Sequence, residues 1–261
     1  MRYGVCIGAR GSEYVKVIKN AGYDYIEGRF ESVKEMDKST FNGFVNELKG
    51  NDIKIEAFNS FFPKGSDIHL VGEDAEFESL KEYSKIGFEK CAILGGKIVV
   101  IGSGKSRNIP EGFSKDRAKE QYASFLNFCG DLALEYNMQI VIESLNSGET
   151  NFINTVQDGI DMCKFTGNKN VFALADFFHV YKSGETLDAI ENAGDLLRHV
   201  HIARANADRG QPTEVDKDML IVWSKALKKC GYNSRISIES RYIPDFETAI
   251  VLSRPALNYF N

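Results

Sequence analysis

The sequence predicts an α/β chain folded as one (β/α)8 TIM barrel. Three observations carry that expectation. Short β-rich runs alternate with helical patterns eight times in 261 residues, the unit count and length such a barrel needs. Most of the runs are almost continuously apolar, as parallel strands covered on both faces must be. Four successive runs, IVIES (140–144), VFALAD (171–176), HVHIA (199–203) and ISIES (236–240), bring an ionisable residue to their ends: Glu143, Asp176, His201 and Glu239. An open doubly wound sheet also consists of βα units, but eight of them without a glycine fingerprint favour the closed form.

Strands are expected at 3–8, 23–28, 53–59, 97–102, 138–144, 171–176, 199–203 and 235–241. Helices fit between them. Residues 39–49 space Phe41, Phe44, Val45 and Leu48 along one face, with Ser39 as a candidate cap and Gly50 as the stop. Segment 115–136 follows Ser114 and aligns Tyr122, Phe125, Leu126 and Cys129. Segment 216–229 carries Leu220, Trp223 and Leu227 and ends before Gly231. Segments 12–21, 74–94, 155–165, 186–197 and 245–258 complete eight helices. No linker or low-complexity tract interrupts the pattern, so residues 1–261 are expected to form a single domain.

Composition narrows the function. The chain is 43% hydrophobic and 26% charged, ordinary for a globular protein, and its formal charge of −5 argues against a nucleic-acid partner. Its five cysteines are scattered, without a CxxC pair, and read as reduced core thiols of a cytoplasmic protein. The start MRYGVCIGARG has too short an apolar run for a signal peptide. No stretch approaches the roughly 20 apolar residues that span a bilayer.

A parallel barrel builds its active site at the C-terminal ends of its strands. There, strands five to eight would converge three carboxylates and one imidazole. Like charges in a pocket oppose one another's ionisation, so the set calls for a divalent cation. Mixed carboxylate and imidazole ligands suit Mn²⁺, Co²⁺ or Mg²⁺ better than a structural zinc. Two positions of an octahedral shell would remain for vicinal oxygens of a sugar or hydroxy-ketone. Weaker signals surround this set. Glu27 and Glu56, near the ends of strands two and three, are expected either to contact sugar hydroxyls or to form ion pairs across the barrel. His199 reads as a hydrogen-bonded core histidine. Phe58, Phe61, Phe62, Phe177 and Phe178 are candidates for an apolar wall or plain packing. The glycine-rich, basic segment GSGKSRNIPEGFSK (102–115) has Val99 where a P-loop needs glycine. It reads as a solvated loop or lid that could still bind a phosphate or cover a substrate.

The same residues carry a resemblance. ESLNSGETNFINT (143–155) resembles the EPLNRxETxxxNT stretch of ketose 3-epimerases of the tagatose/psicose (allulose) type. LADFFHVYKSGE (174–185) is similar to their LDxFHMxxEE stretch, HVHIARANADRG (199–210) to their HxHxxxxNR segment, and SIES (237–240) to their last strand. These enzymes belong to the wider xylose-isomerase-like barrel group of sugar isomerases and epimerases. The resemblance is specific over residues 138–240 and architectural before that. It implies Glu143, Asp176, His201 and Glu239 as metal ligands, with Glu143 and Glu239 also the catalytic acid/base pair. It implies Glu149 and His179 as substrate-binding residues, and Arg209 as the nearest candidate for the family's substrate-binding arginine. That arginine stands eight residues after His201 here and six in the family, where this chain has Ala207. A homodimer or homotetramer is also implied.

The expected function is therefore a metal-dependent sugar epimerase or isomerase, acting on a ketose or related hydroxy-ketone by proton transfer through a metal-bound enediolate. Two alternatives share the site: a dehydratase of a polyol or cyclic hydroxy-ketone, and a non-catalytic sugar-binding barrel that keeps the metal. An apurinic-site endonuclease with three zinc ions needs more histidines than the four present.

Overall fold

Eight parallel strands close into a barrel in chain order: β1 (Arg2–Cys6), β2 (Tyr25–Arg29), β3 (Ile55–Asn59), β4 (Ile98–Ile101), β5 (Gln139–Glu143), β6 (Val171–Asp176), β7 (Leu197–Ile202) and β8 (Arg235–Ile238). The structure, a computed structural model, describes residues 1–75, 77–206 and 208–261. Closure is made by β1 on β8, from Arg2↔Arg235 to Val5↔Ile238. The (β/α)8 expectation holds, and each strand lies where the apolar runs place it, with ends shifted by up to three residues.

The helices are α1 (Val15–Asn20), α2 (Phe30–Glu35), α3 (Lys38–Gly50), α4 (Glu78–Leu94), α5 (Lys115–Glu135), α6 (Val156–Thr166), α7 (Phe177–Ser183), α8 (Asp188–Glu191), α9 (Lys217–Cys230) and α10 (Phe246–Ser253). Ser114 caps α5 as expected, accepting from Arg117 N. The cap of α3 is Asp37 rather than Ser39: its carboxylate accepts from Ser39 N and Thr40 N, one turn end earlier. The expected helix 186–197 shrinks to the single turn of α8, followed by a 3₁₀ turn at Gly194–Leu196 that starts with Gly194 at φ +53°. The helix expected from 74 begins at Glu78, and Glu76 lies outside the described residues. Two short helices, α2 and α7, follow β2 and β6 directly and were not expected. No helix among the described residues is long and apolar enough to cross a membrane. All five cysteines are free, four of them buried.

Alternation along the strands sorts the side chains. Successive residues of a strand point to opposite faces, so positions two apart share one face. One set packs against the helices in a large apolar core that includes Val5, Ile26, Val99, Ile140 and Ile236. The other set forms a smaller cluster of Tyr25, Ala57, Ile98, Val100, Val141 and Leu174. Gly4 leaves room for Tyr25, since a Cβ there would lie 2.3 Å from its ring. Two residues beyond members of the small cluster stand Glu27, Asn59, Gly102, Glu143 and Asp176, so the same face turns polar at the C-terminal mouth. At the opposite end Glu56 bonds Arg2 and Arg235, the first residues of β1 and β8. That places Glu56 at the floor, among ion pairs, and removes it from any contact with substrate.

Candidate metal centre and active site

Glu143, Asp176, His201 and Glu239 meet. One potential ligand atom from each lies within 4.8 Å of all the others. Glu143 is the last residue of β5, Asp176 the last of β6, His201 is on β7, and Glu239 follows β8. The imidazole sits at the centre. Its Nδ1 faces Glu143 Oε1 at 3.2 Å and Glu239 Oε2 at 3.4 Å, while its Nε2 meets Glu27 Oε1 at 2.8 Å. Nδ1 is thus the nitrogen available to a cation. Asp176 serves two structures. Its Oδ1 caps α7 by accepting from Phe178 N (2.7 Å) and His179 N (3.4 Å), and this directs Oδ2 into the cluster.

Three hard oxygen donors and one imidazole on a common point fit a divalent ion such as Mn²⁺, Co²⁺ or Mg²⁺. A second grouping, Cys6, Glu27 and His201, is also compact. There the carboxylate and the imidazole are bonded to each other, which makes Glu27 an orienting partner for His201 rather than a further ligand. Glu27 also accepts from His199 Nε2 at 2.8 Å, so His199 is the hydrogen-bonded core histidine expected. Of the two roles open for Glu27, pairing inside the barrel is the one observed; it is fully buried. A Glu27→Gln variant is expected to keep the fold and lose about 10–100-fold in Mn²⁺ affinity, read by calorimetric titration. Unchanged affinity would show that His201 needs no orienting carboxylate.

The carboxylates are electrostatically unequal. Burial, and then the charge of Glu239, push the Glu143 carboxyl above its ordinary value. Burial also works against Glu239, but Arg209 and then His201 outweigh it and hold that carboxyl at about 2. For His201 burial favours the neutral ring, yet Glu27 and then Glu239 raise its pKa well above the usual value.

The expected substrate residues surround this cluster. His179 is buried, and its Nδ1 accepts from Asn146 N (3.3 Å) and Nδ2 (2.9 Å). Its proton therefore belongs on Nε2, 3.7 Å from Asp176 Oδ2. Asn146 Nδ2 also reaches Glu149 Oε1 at 2.9 Å, joining Glu149, Asn146 and His179 in one chain. Arg209 has φ +49°, and its Nη2 bonds both Asp176 Oδ2 (2.6 Å) and Glu239 Oε2. Its guanidinium lies 4.7 Å from the Phe178 ring centre. Ala207 lies outside the described residues. Arg204 is engaged by Asp216 and Thr213.

A cleft of about 470 Å³ opens over the cluster, lined on its inner side by Glu143, Glu149, His179, Arg209, Glu239 and Asn59. Asn59 Nδ2 donates to Glu239 Oε1 at 2.9 Å, a contact not anticipated from sequence. Of the five phenylalanines considered, only Phe62 lines the cleft. Phe61 stacks on Phe30 at 4.3 Å, Phe177 on Trp223 at 4.5 Å, and Phe58 is buried. Residues 102–106 form a wall of the cleft rather than a solvated loop. The glycines there permit close approach: a Cβ on Gly102 would stand 2.0 Å from Glu143 Oε2, and one on Gly104 2.8 Å from the Glu149 carbonyl. A Gly102→Ala variant should displace the Glu143 carboxylate and cost on the order of 10²-fold in kcat/KM with little change in melting temperature. Wild-type kinetics would show that the carboxylate tolerates the shift.

The barrel with a carboxylate–histidine cluster at its mouth points to the isomerases and epimerases of xylose isomerase-like barrels, and comparison with known proteins supports that class. The sequence pattern of the family described as xylose isomerase-like TIM barrel matches residues 15–255, and the chain belongs to that family. A D-psicose 3-epimerase of Agrobacterium fabrum is 26% identical over 205 residues, covering 76% of this chain and 69% of that protein. A 2-oxo-tetronate isomerase of Haemophilus influenzae is 26% identical over 143 residues, 54% of each chain. A crystal structure of a D-psicose 3-epimerase in the presence of D-fructose superposes with a TM-score of 0.83 at 19% identity, covering 99% of this chain and 98% of that one. The characterised relatives are thus epimerase and isomerase enzymes.

Proposed function

We propose that this chain is a divalent-metal-dependent epimerase or isomerase of ketoses or related hydroxy-ketones, with Glu143, Asp176, His201 and Glu239 as its ligands. The observation that carries the reading is the convergence of these four side chains beneath one cleft. The cation, when bound, supplies Lewis-acid polarisation of a carbonyl and its neighbouring hydroxyl. The remaining chemistry belongs to the chain. One of Glu143 and Glu239, carried on strands three apart in the barrel wall, removes the proton from the hydroxyl-bearing carbon next to the carbonyl and gives an enediolate. The other returns a proton to the opposite face and inverts the carbon. His179, its Nδ1 fixed by Asn146, presents Nε2–H to a substrate oxygen, and Glu149 steadies that pair. The D-psicose 3-epimerase relative supports inversion at C3. The 2-oxo-tetronate isomerase relative supports isomerisation instead, for which one carboxylate would move the proton to the adjacent carbon.

The test is proton exchange. The protein with Mn²⁺ is incubated with ketoses in deuterated water and the products read by NMR. Deuterium at C3 with inverted configuration supports epimerisation, and deuterium at C1 or C2 supports isomerisation. Loss of water would replace both with the dehydratase. No exchange on any ketose or hydroxy-ketone would overturn the catalytic reading and leave a binding barrel.

A further inference from the structure

The outer half of the cleft has a different character from the inner half. It is built from the segment after β3, with Ser60, Phe62, Pro63, Lys64, Gly65 and Ser66, and the segment after β4. The second segment contributes Ser103, Lys105 and Ser106. The two are tied together: Phe62 N donates to Ser103 Oγ at 3.4 Å, and Leu70 N to the Ser106 carbonyl at 2.6 Å. They present one surface of hydroxyls and ammonium groups.

The ammonium groups on that surface have no acid partner among the described residues. The acids of the inner half are engaged there: Glu149 accepts from Asn146, Glu143 meets His201, and Glu239 meets His201, Asn59 and Arg209. Arg29 is paired with Glu31. Lys64 and Lys105 line the cleft and pair with no acid among the described residues. In the same segment Arg107 is fully buried and donates to carbonyls: Nε to Phe152 (3.0 Å), Nη2 to Glu143 (2.8 Å) and Ile153 (3.3 Å). Its Nη1 has no partner among the described residues. A buried cation without a counter-charge is rare because its desolvation goes unrecovered. Arg107 does not line the cleft and lies against Tyr122. Among the acids that line the cleft, Glu143, Glu149 and Glu239 belong to its inner half, and Lys64 and Lys105 to its outer half. The outer end of the cleft is therefore locally positive, in a protein of net charge −5.

We infer that the substrate is anionic: a ketose whose end remote from the reacting carbons carries a phosphate or a carboxylate, held by Lys64 and Lys105. A neutral ketose meets hydrogen-bonding needs with hydroxyls and amides, and two unpaired ammonium groups add nothing to it. An anion completes them by charge-assisted hydrogen bonds. The inference rests on the ketose reading of the inner site and assigns the other end of the substrate.

The experiment measures affinity, so it is separable from turnover. Mn²⁺-loaded protein is titrated calorimetrically with D-fructose, D-fructuronate and D-fructose 6-phosphate, which differ only at C6. At least one anionic ligand should bind ten-fold or more tightly than D-fructose, and which of the two does so identifies the anion. The advantage should shrink between 50 and 500 mM salt. In a Lys64→Ala/Lys105→Ala double variant, both positions being exposed, the ratio should fall to within about two-fold. Equal affinity for all three ligands overturns the inference, as does an advantage that survives the double variant. Failure of the ketose reading shows separately, as absence of deuterium exchange on every ligand.

Discussion

A Glu239→Gln variant is expected to lose about 10³-fold in proton exchange while still taking up Mn²⁺. The amide keeps the shape of the carboxylate and an oxygen for Asn59 Nδ2, which now donates to Glu239 Oε1 at 2.9 Å. What it removes is a basic oxygen beside His201 and Arg209. Three of the four proposed ligands remain, so metal uptake weakens without disappearing. Deuterium wash-in measured on wild type and variant, with metal content determined on the same samples, separates the two effects. Full exchange in the variant would remove Glu239 from the chemistry. Loss of exchange together with all metal would reduce it to a ligand only.

The second large effect concerns stability. Mn²⁺ at about 1,000 times its dissociation constant should stabilise the folded chain by about 4 kcal/mol. For a chain of this size that is a rise in melting temperature on the order of 10 °C. The rise should shrink markedly in Asp176→Asn, which leaves three of the four proposed ligands. Asparagine is an equally good N-cap, so α7 and the seat of His179 survive while the charged ligand oxygen is lost. Calcium is a useful control, because its larger shell asks for more oxygens than this cluster brings together. An equal rise in wild type and Asp176→Asn would place the ion elsewhere.

Much of the fold and the core of the site were legible in the sequence for one reason. A parallel strand is read as a nearly unbroken apolar run, and an ionisable residue at its end marks the barrel mouth. Glu143, Asp176, His201 and Glu239 each satisfy that local rule. The residues that were not legible act through distant contacts. Glu27 and His201 are 174 positions apart, Asn59 and Glu239 are 180 apart, and Gly102 is fitted to Glu143 across neighbouring strands. No spacing within one segment encodes such pairs. Helix α7 escaped for the opposite reason. It begins directly after β6, so VFALADFFHV reads as one apolar stretch in which Asp176 looks like a terminus, when it is also the cap of the next helix. For Glu56 the sequence left sugar contact and ion pairing open, and its pairs with Arg2 and Arg235, 54 and 179 positions away, decide for the second.

The four clustered side chains all come from β5 to β8, whereas the lysine-bearing wall comes from the segments after β3 and β4. On the proposed reading, reactivity would reside in the second half of the chain and selectivity in the first, and one could be exchanged while the other stays fixed. The wall segments are fitted to the cluster at Gly102, against the Glu143 carboxylate, and at Arg107, on the Glu143 carbonyl. A transplant of the two wall segments from a sister barrel that conserves those two residues should carry the donor's preference into this scaffold without disturbing its catalytic engine.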